Sequence, residues 1–409
     1  MWPGIRRARP LVVWLHRWTG LVMVVFLVIV GLTGSLLAFN TELERVFAPR
    51  LFAAERPGVP RLDLAELAER AQVLVPEGRV QAVTYSEPDQ VSVWFEPRTD
   101  RVTGRPFELG FTEFFMDPWT GRELGWRVSG DLAQGLVNIM PFIYDIHWRL
   151  LLGDLGQWVL GIVALLWTVD CVVSVFPTLP PGPGPFWRRW WRAWQVRRRP
   201  GLVRISYDLH RAGGLWLWPL LFVFAWSSVM MNMRPVYERT MSLAFDYQPW
   251  ADQPPASLPA GLPPRIGWHQ ALRTGDRLMA EQAALLGFTY REPLSLMYFP
   301  DSRTYLYEVR GSRDLFDRAP KGGGTDIVFD GDTGQFREIS QPTGEHLGNT
   351  LESWLYALHM ARVFGRPYQV IVTLLGVGLT ILCVTGVHVW WRKHRARVHE
   401  RRRAGAVGS

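Results

Sequence analysis

Four of the nine histidines stand in two matched settings. Leu15-His16-Arg17 with Gly20-Leu21 recurs 194 residues later as Leu209-His210-Arg211 with Gly214-Leu215, and His147 with Gly153 recurs 212 residues later as His359 with Gly365. Neutral imidazole is a common transition-metal ligand, and two imidazoles on opposite faces of a porphyrin make a bis-histidine b-type heme. The two pairs His16/His210 and His147/His359 would serve two such hemes. With no Cys-x-x-Cys-His, the porphyrin would be held without thioether bonds. Zinc is disfavoured, since neither His-Glu-x-x-His nor paired cysteine ligands occur. A lone histidine at a span end is ordinarily an interfacial hydrogen-bonding residue; four at repeat-equivalent positions favour ligation, because ionisable side chains in spans are costly and tend to be functional. Arg17 and Arg211, one residue past their histidines, are candidates for heme propionates and equally readable as ordinary basic flanks.

The elements that must hold these residues are membrane spans. The chain has 409 residues, 48% of them hydrophobic. The apolar residues are clumped into windows at 11–39, 155–176, 209–232 and 367–391, each with the roughly 20 apolar residues that cross a bilayer. Composition excludes disorder, and a disulfide scaffold has no material, since the only cysteines, Cys171 and Cys383, lie inside spans. The net charge of +8 is unevenly placed. Residues 1–10, 178–204 and 391–409 hold seventeen Lys or Arg and one acid, so the remainder sums to −8. That is the positive-inside pattern rather than a nucleic-acid surface: both termini and the basic loop face the cytoplasm, and the two long segments face outward. Glu42 and Glu44 follow the first span where a cleavage site would need small residues, so it stays as an anchor.

The two offsets differ by 18 residues, as two copies with outer segments of different length would give. The expected order is a cytoplasmic tail (1–10), span one (11–39), outer segment one (40–154), span two (155–176), a basic loop (177–208), span three (209–232), outer segment two (233–366), span four (367–391) and a basic tail (392–409). Each outer segment reads as a small α+β domain. The first has a helix around 63–74 and a strand alternating at Val91, Val93 and Phe95; the second has a helix from about 265 to 286 and strands near 294–299 and 304–309. Asp117-Pro-Trp-Thr-Gly121 and Asp330-Gly-Asp-Thr-Gly334 each signal a closing hairpin, while the Pro-rich stretches 177–185 and 249–264 read as connectors.

The Leu-His-Arg-x-x-Gly-Leu starts, the His-x5-Gly motifs and the repeated outer segments resemble the PepSY-associated transmembrane family, from about residue 11 to 392. The resemblance implies a four-span bacterial inner-membrane protein with two periplasmic PepSY-like α+β domains and heme ligation by His16, His147, His210 and His359. Members include heme-containing ferric-siderophore reductases, so it also implies a diheme cytochrome, with two hemes b, that passes electrons to a ferric siderophore or another periplasmic acceptor. Some relatives carry a fused flavoprotein reductase, whereas here the expected donor is separate, a quinol or a cytoplasmic reductase. A non-redox role, with the outer domains as sensor or protease inhibitor, is the alternative.

Other residues carry weaker expectations. His388 falls opposite Phe176 in the repeat and is read as no ligand; His394 and His399 belong to the basic tail; His269 and His346 are candidates for substrate contact. Asp170 is either a proton-handling group or the partner of a cytoplasmic arginine. Met230, Met231 and Met233 are read as apolar packing. Trp94, Trp119, Trp126, Tyr298 and Tyr305 could line an outer cleft or form domain core.

Overall fold

The computed structural model describes residues 3–180, 184–197, 201–249, 264–315 and 324–407. Helix α1 (Pro3–Leu37) leads into the short α2 (Asn40–Phe47) and then α3 (Leu64–Leu74), which Asp63 caps by accepting from the Glu66 N–H at 2.7 Å. Strands β1 (Gly78–Glu87), β2 (Gln90–Pro97), β3 (Glu113–Met116) and β4 (Glu123–Arg127) follow, and α4 (Ile139–Arg149) returns the chain to α5 (Gly153–Val173). After the short α6 (Phe186–Trp190), the same order runs again: α7 (Leu202–Asn232), α8 (Arg234–Ala244), α9 (Trp268–Leu286), β5 (Tyr290–Phe299), β6 (Thr304–Gly311), β7 (Thr325–Asp330), β8 (Phe336–Ser340), α10 (Leu347–His359) and α11 (Gly365–Val407). The connector expected at 249–264 lies almost wholly outside the described residues.

Among the described residues four helices are long and apolar enough to cross a membrane, at Ala8–Leu37, Gly153–Thr178, Leu202–Asn232 and Gly365–Glu400, so the chain is a multi-pass membrane protein. They form a ring in which α1 and α7 each touch both α5 and α11. Small residues allow the closest approach. A Cβ on Gly376 would run into the Gly31 carbonyl, and Ser35 and Thr373 exchange hydroxyl-to-carbonyl bonds of 3.0 and 3.1 Å across the same contact. The helices overrun the apolar windows. The segment 392–409, expected as a tail, continues α11 as far as Val407, because its arginines are good helix formers and no proline interrupts them.

The two sheet-bearing segments differ from the expectation of separate domains. All eight strands form one antiparallel sheet in the order β4-β3-β2-β1-β5-β6-β7-β8, joined where Thr84 pairs with Ser295 and Val83 with Leu296. The Thr84 and Ser295 hydroxyls meet at 2.8 Å in this buried seam. Helices α3 and α9 pack against each other, and residues from both halves build one apolar cluster including Leu67, Val83, Tyr298, Tyr305 and Phe329. Both hairpin signals fall where expected, between β3 and β4 and between β7 and β8, with Gly121 and Gly334 supplying the positive φ of the turns.

Inside this sheet Glu308 faces Asp326 across β6 and β7. Burial pushes the Glu308 carboxyl up to about 7, with Asp314 adding and the Gly324 N–H opposing; burial and the neighbouring Glu308, Glu338 and Asp314 raise Asp326 as well. A raised carboxyl binds its proton in the folded chain at a pH where the unfolded chain has lost it. The contribution is therefore intact below the unfolded value of 4.5 and is lost as pH rises through about 7. Glu308→Gln is expected to flatten that decline and to raise stability at pH 8 by up to about 3 kcal/mol. Thermal unfolding of the full chain at pH 5 and pH 8 checks it; a variant less stable than wild type at pH 8 contradicts it.

Candidate functional site

The four repeat histidines come together as two facing pairs. His16 on α1 and His210 on α7 have ring centres 6.0 Å apart; His147 at the end of α4 and His359 at the end of α10 are 6.3 Å apart. An imidazole nitrogen lies about 2 Å from a bound metal and roughly 1 Å from its own ring centre, so two axial imidazoles on one iron put their centres about 6 Å apart. Both pairs have that spacing.

Each Nδ1 is occupied by the protein. His147 Nδ1 meets Thr33 Oγ1 at 2.9 Å and His359 Nδ1 meets Ser227 Oγ at 2.7 Å. Thr33 Oγ1 also reaches the Ile29 carbonyl at 2.7 Å and Ser227 Oγ the Phe224 carbonyl at 3.1 Å; with its one hydrogen placed there, each hydroxyl is an acceptor for the imidazole. His210 Nδ1 donates to the Leu382 carbonyl at 2.9 Å, and His16 Nδ1 to both Asp170 carboxylate oxygens at 3.0 Å. With every Nδ1 carrying the hydrogen, each Nε2 keeps the bare lone pair that binds metal; this is the arrangement outer partners impose on ligating histidines.

The glycines explain how the rings fit. A Cβ on Gly34 would stand 3.0 Å from Cε1 of His147, and one on Gly386 would stand 2.9 Å from Cε1 of His210. Short helices rather than spans carry the second pair. Helix α4 packs its histidine on α1, and α10 packs its own on α7, before left-handed turns at Leu150–Gly153 and Phe364–Gly365 start the next spans. Along α1 the two levels are 17 residues apart, His16 to Thr33, or about 25 Å of helix, and His210 to Ser227 on α7 repeats that interval. Between the levels lies an apolar packing layer that includes Met23, Leu27, Trp167, Leu221 and Leu379.

The His147/His359 level opens into a cavity of about 1030 Å³ that reaches from Leu27 and Leu379 between the spans to Trp94, Glu113 and Arg127 on the sheet. Two polar atoms on its wall, Arg362 Nη1 and Gln369 Oε1, are buried without a partner among the described residues. An apolar cavity with facing imidazoles and an unpartnered guanidinium N–H at Arg362 fits a porphyrin with its propionates, whereas Gln369 Oε1, an acceptor, calls for a donor instead. At the sheet end Arg127 is nearly buried, 2.7 Å from Glu44 and bonded to Glu113. Burial opposes its charge, but the two carboxylates outweigh it and hold the guanidinium above its ordinary value.

The other sequence candidates sort as follows. Arg211 spends Nε on the Ala193 carbonyl and Nη2 on the carbonyls of Arg192 and Gln195 and on Asp208, so it ties the basic loop to α7. Arg17 keeps a buried Nε without a partner among the described residues. Among the described residues Asp170 pairs with His16 rather than with an arginine, and the Thr19 hydroxyl stands 3.1 Å from it. His388 Nδ1 meets Ser206 Oγ at 2.8 Å. His269 pairs with Glu69 at 3.2 Å, bridging α9 and α3, and His346 pairs with Asp246 at 3.0 Å. Tyr298 and Tyr305 are core, whereas Trp94 is 56% exposed and lines the cavity. Met230 and Met231 also line it and pack with Val229 and Tyr237.

Sequence reasoning missed Thr33, Ser227 and Leu382, although a signal existed. Thr33 and Ser227 are 194 residues apart, the His16/His210 offset, and Asp170 and Leu382 are 212 apart, the His147/His359 offset. Gln369 carried the same signal, standing 212 residues after Gln157, whereas Arg362 falls opposite Leu150 and only the cavity wall singles it out.

Fold and site together define a four-helix membrane protein that mounts two facing histidine pairs at two depths beneath a single eight-stranded sheet. A family model for the PepSY-associated TM region matches residues 13–393, nearly the whole chain, and the protein belongs to that family. No curated protein matches the chain.

Proposed function

We propose that this protein is an inner-membrane diheme b-type cytochrome that carries electrons from the basic-loop side to the sheet side, where a ferric siderophore is the acceptor. The observation that carries the reading is the set of four imidazoles in two facing pairs, each with Nδ1 tied down and Nε2 free. His16 and His210 would hold one heme, His147 and His359 the other. Bound there, the hemes would supply one-electron transfer, which no side chain in the bundle offers. The protein's own part is placement and exclusion: the apolar layer between the levels keeps water and ions from following, and Arg362 and Gln369 meet polar groups at the edge of the outer cavity.

The topology rests on charge. The loop before α7 and the C-terminal part of α11 are rich in arginine, which supports reading that side as cytoplasmic and the sheet as periplasmic. The recurrence of element order and of both offsets is read as an internal duplication. Reduction of the acceptor would release iron, because the less charged Fe(II) binds hard oxygen ligands more weakly. The donor is separate, a quinol or a cytoplasmic reductase.

Absorption of the full chain, purified in detergent, tests the reading. The expected result is a red protein whose visible bands sharpen on dithionite reduction, with two hemes per chain by extraction. A folded, colourless preparation overturns it and favours a non-redox role for the sheet-bearing unit.

A further inference from the structure

Three of the four imidazole Nδ1 contacts end on neutral oxygen, and the fourth ends on a carboxylate. Thr33 and Ser227 stand at repeat-equivalent positions and match each other in chemistry. Positions 170 and 382 are also equivalent, yet one provides the Asp170 side chain and the other only the Leu382 backbone carbonyl. Asp170 therefore breaks the two-fold likeness of the site, and it does so with a full negative charge at one level only. Its side chain is 11% exposed, and both carboxylate oxygens lie 3.0 Å from the His16 Nδ1.

Resting on the diheme reading above, we propose that Asp170 sets the redox order of the two levels, holding the His16/His210 couple below the His147/His359 couple so that electrons run downhill toward the sheet. A carboxylate accepting the Nδ1 hydrogen draws it away from the ring and gives the imidazole imidazolate character. Such a ring is a stronger donor at Nε2 and stabilises ferric over ferrous iron. Partial burial, with the Asp170 side chain 11% exposed and His16 31%, leaves the charge only partly screened. The neutral hydroxyls at the other level exert no comparable pull, and each already donates its hydrogen to backbone. Thr19 Oγ1 stands 2.9 Å from the Leu15 carbonyl and 3.1 Å from Asp170 Oδ1, so its one hydrogen is divided between them and moderates the effect only for the share it gives to Asp170. Asp170 is thus a positioning and tuning residue that acts on iron through His16.

The test is a spectroscopic redox titration of the full chain in lipid nanodiscs, with the lower couple assigned by its absence from His16→Leu. Asp170→Asn is expected to raise the lower couple by at least a tenfold change in its equilibrium, about 59 mV for one electron, and to leave the upper couple in place. Thr19→Val keeps the carboxylate and removes the competing donor, so it should move the lower couple further down; it decides the matter if Asp170→Asn loses the heme. The inference is overturned if two hemes are present and neither variant moves the lower couple, or if that couple is the one lost in His147→Leu. A colourless wild-type chain overturns the underlying diheme reading instead.

Discussion

Replacing His147 or His359 with leucine is expected to remove the heme at the sheet-side level, halving the heme content, while the bands of the His16/His210 level persist. The converse is expected for His16→Leu and His210→Leu. The effect should be near complete, because on the diheme reading each iron would draw its two protein donors from one facing pair, and a single remaining imidazole would not hold a bis-histidine state. Separation of the two losses follows from geometry: the levels are about 25 Å apart along α1 and are divided by packed apolar side chains. Gly34→Val should resemble His147→Leu, since its Cβ alone would stand 3.0 Å from Cε1 of His147 and the added methyls have no room. His388→Ala should keep both hemes. Heme extraction and reduced-minus-oxidised spectra read all six variants; full heme content in the four histidine-to-leucine variants would dismiss axial ligation.

Reduced protein is expected to be reoxidised by a ferric siderophore with release of Fe(II), and variants lacking His147 or His359 should react at least tenfold more slowly. On the basic-loop side the described chain offers short segments tied to the bundle, with Arg211 clasping the carbonyls of 192, 193 and 195. On the sheet side the cavity beside His147 and His359 extends to Trp94, Glu113 and Arg127, so its sheet end would offer a bulky acceptor an approach toward that level. A pocket with aromatic walls and a few fixed charges is the ordinary form of a small-molecule site. Stopped-flow loss of the reduced bands, with a chelator trapping Fe(II), measures both products. Equal rates in wild type and the two variants would mean that the hemes serve another acceptor.

The spans and the histidines were legible because the signals that mark them are local. Twenty apolar residues in a row need no partner to announce a span, and a His-Arg-x-x-Gly-Leu motif repeated at a fixed offset is visible without any fold. The periodicities of α3, α9, β2, β5 and β6 were readable for the same reason, with β5 beginning four residues earlier than its apolar core suggests. What fills the second side of each histidine was not readable. Whether Asp170 meets an arginine or His16 depends on the rotation of α5 against α1, and that rotation is set by how the two helices pack rather than by any local run of residues.

By itself, then, the sequence determined four spans, their polarity of charge, a twice-run order of elements and four imidazoles in two groups. These follow from composition and spacing along one chain. The tertiary structure decided that the two outer segments share one sheet, since β1 and β5 meet edge to edge across more than 200 residues and a strand's pattern marks its faces but not its neighbour. It also decided that the outer approaches to spans two and four fold as the short helices α4 and α10, which carry His147 and His359 into the bundle, and that Arg362 and Gln369 face a cavity. Those facts depend on where separate elements come to rest against one another, and that is set by packing and by the need to satisfy buried polar groups, not by any local run of residues.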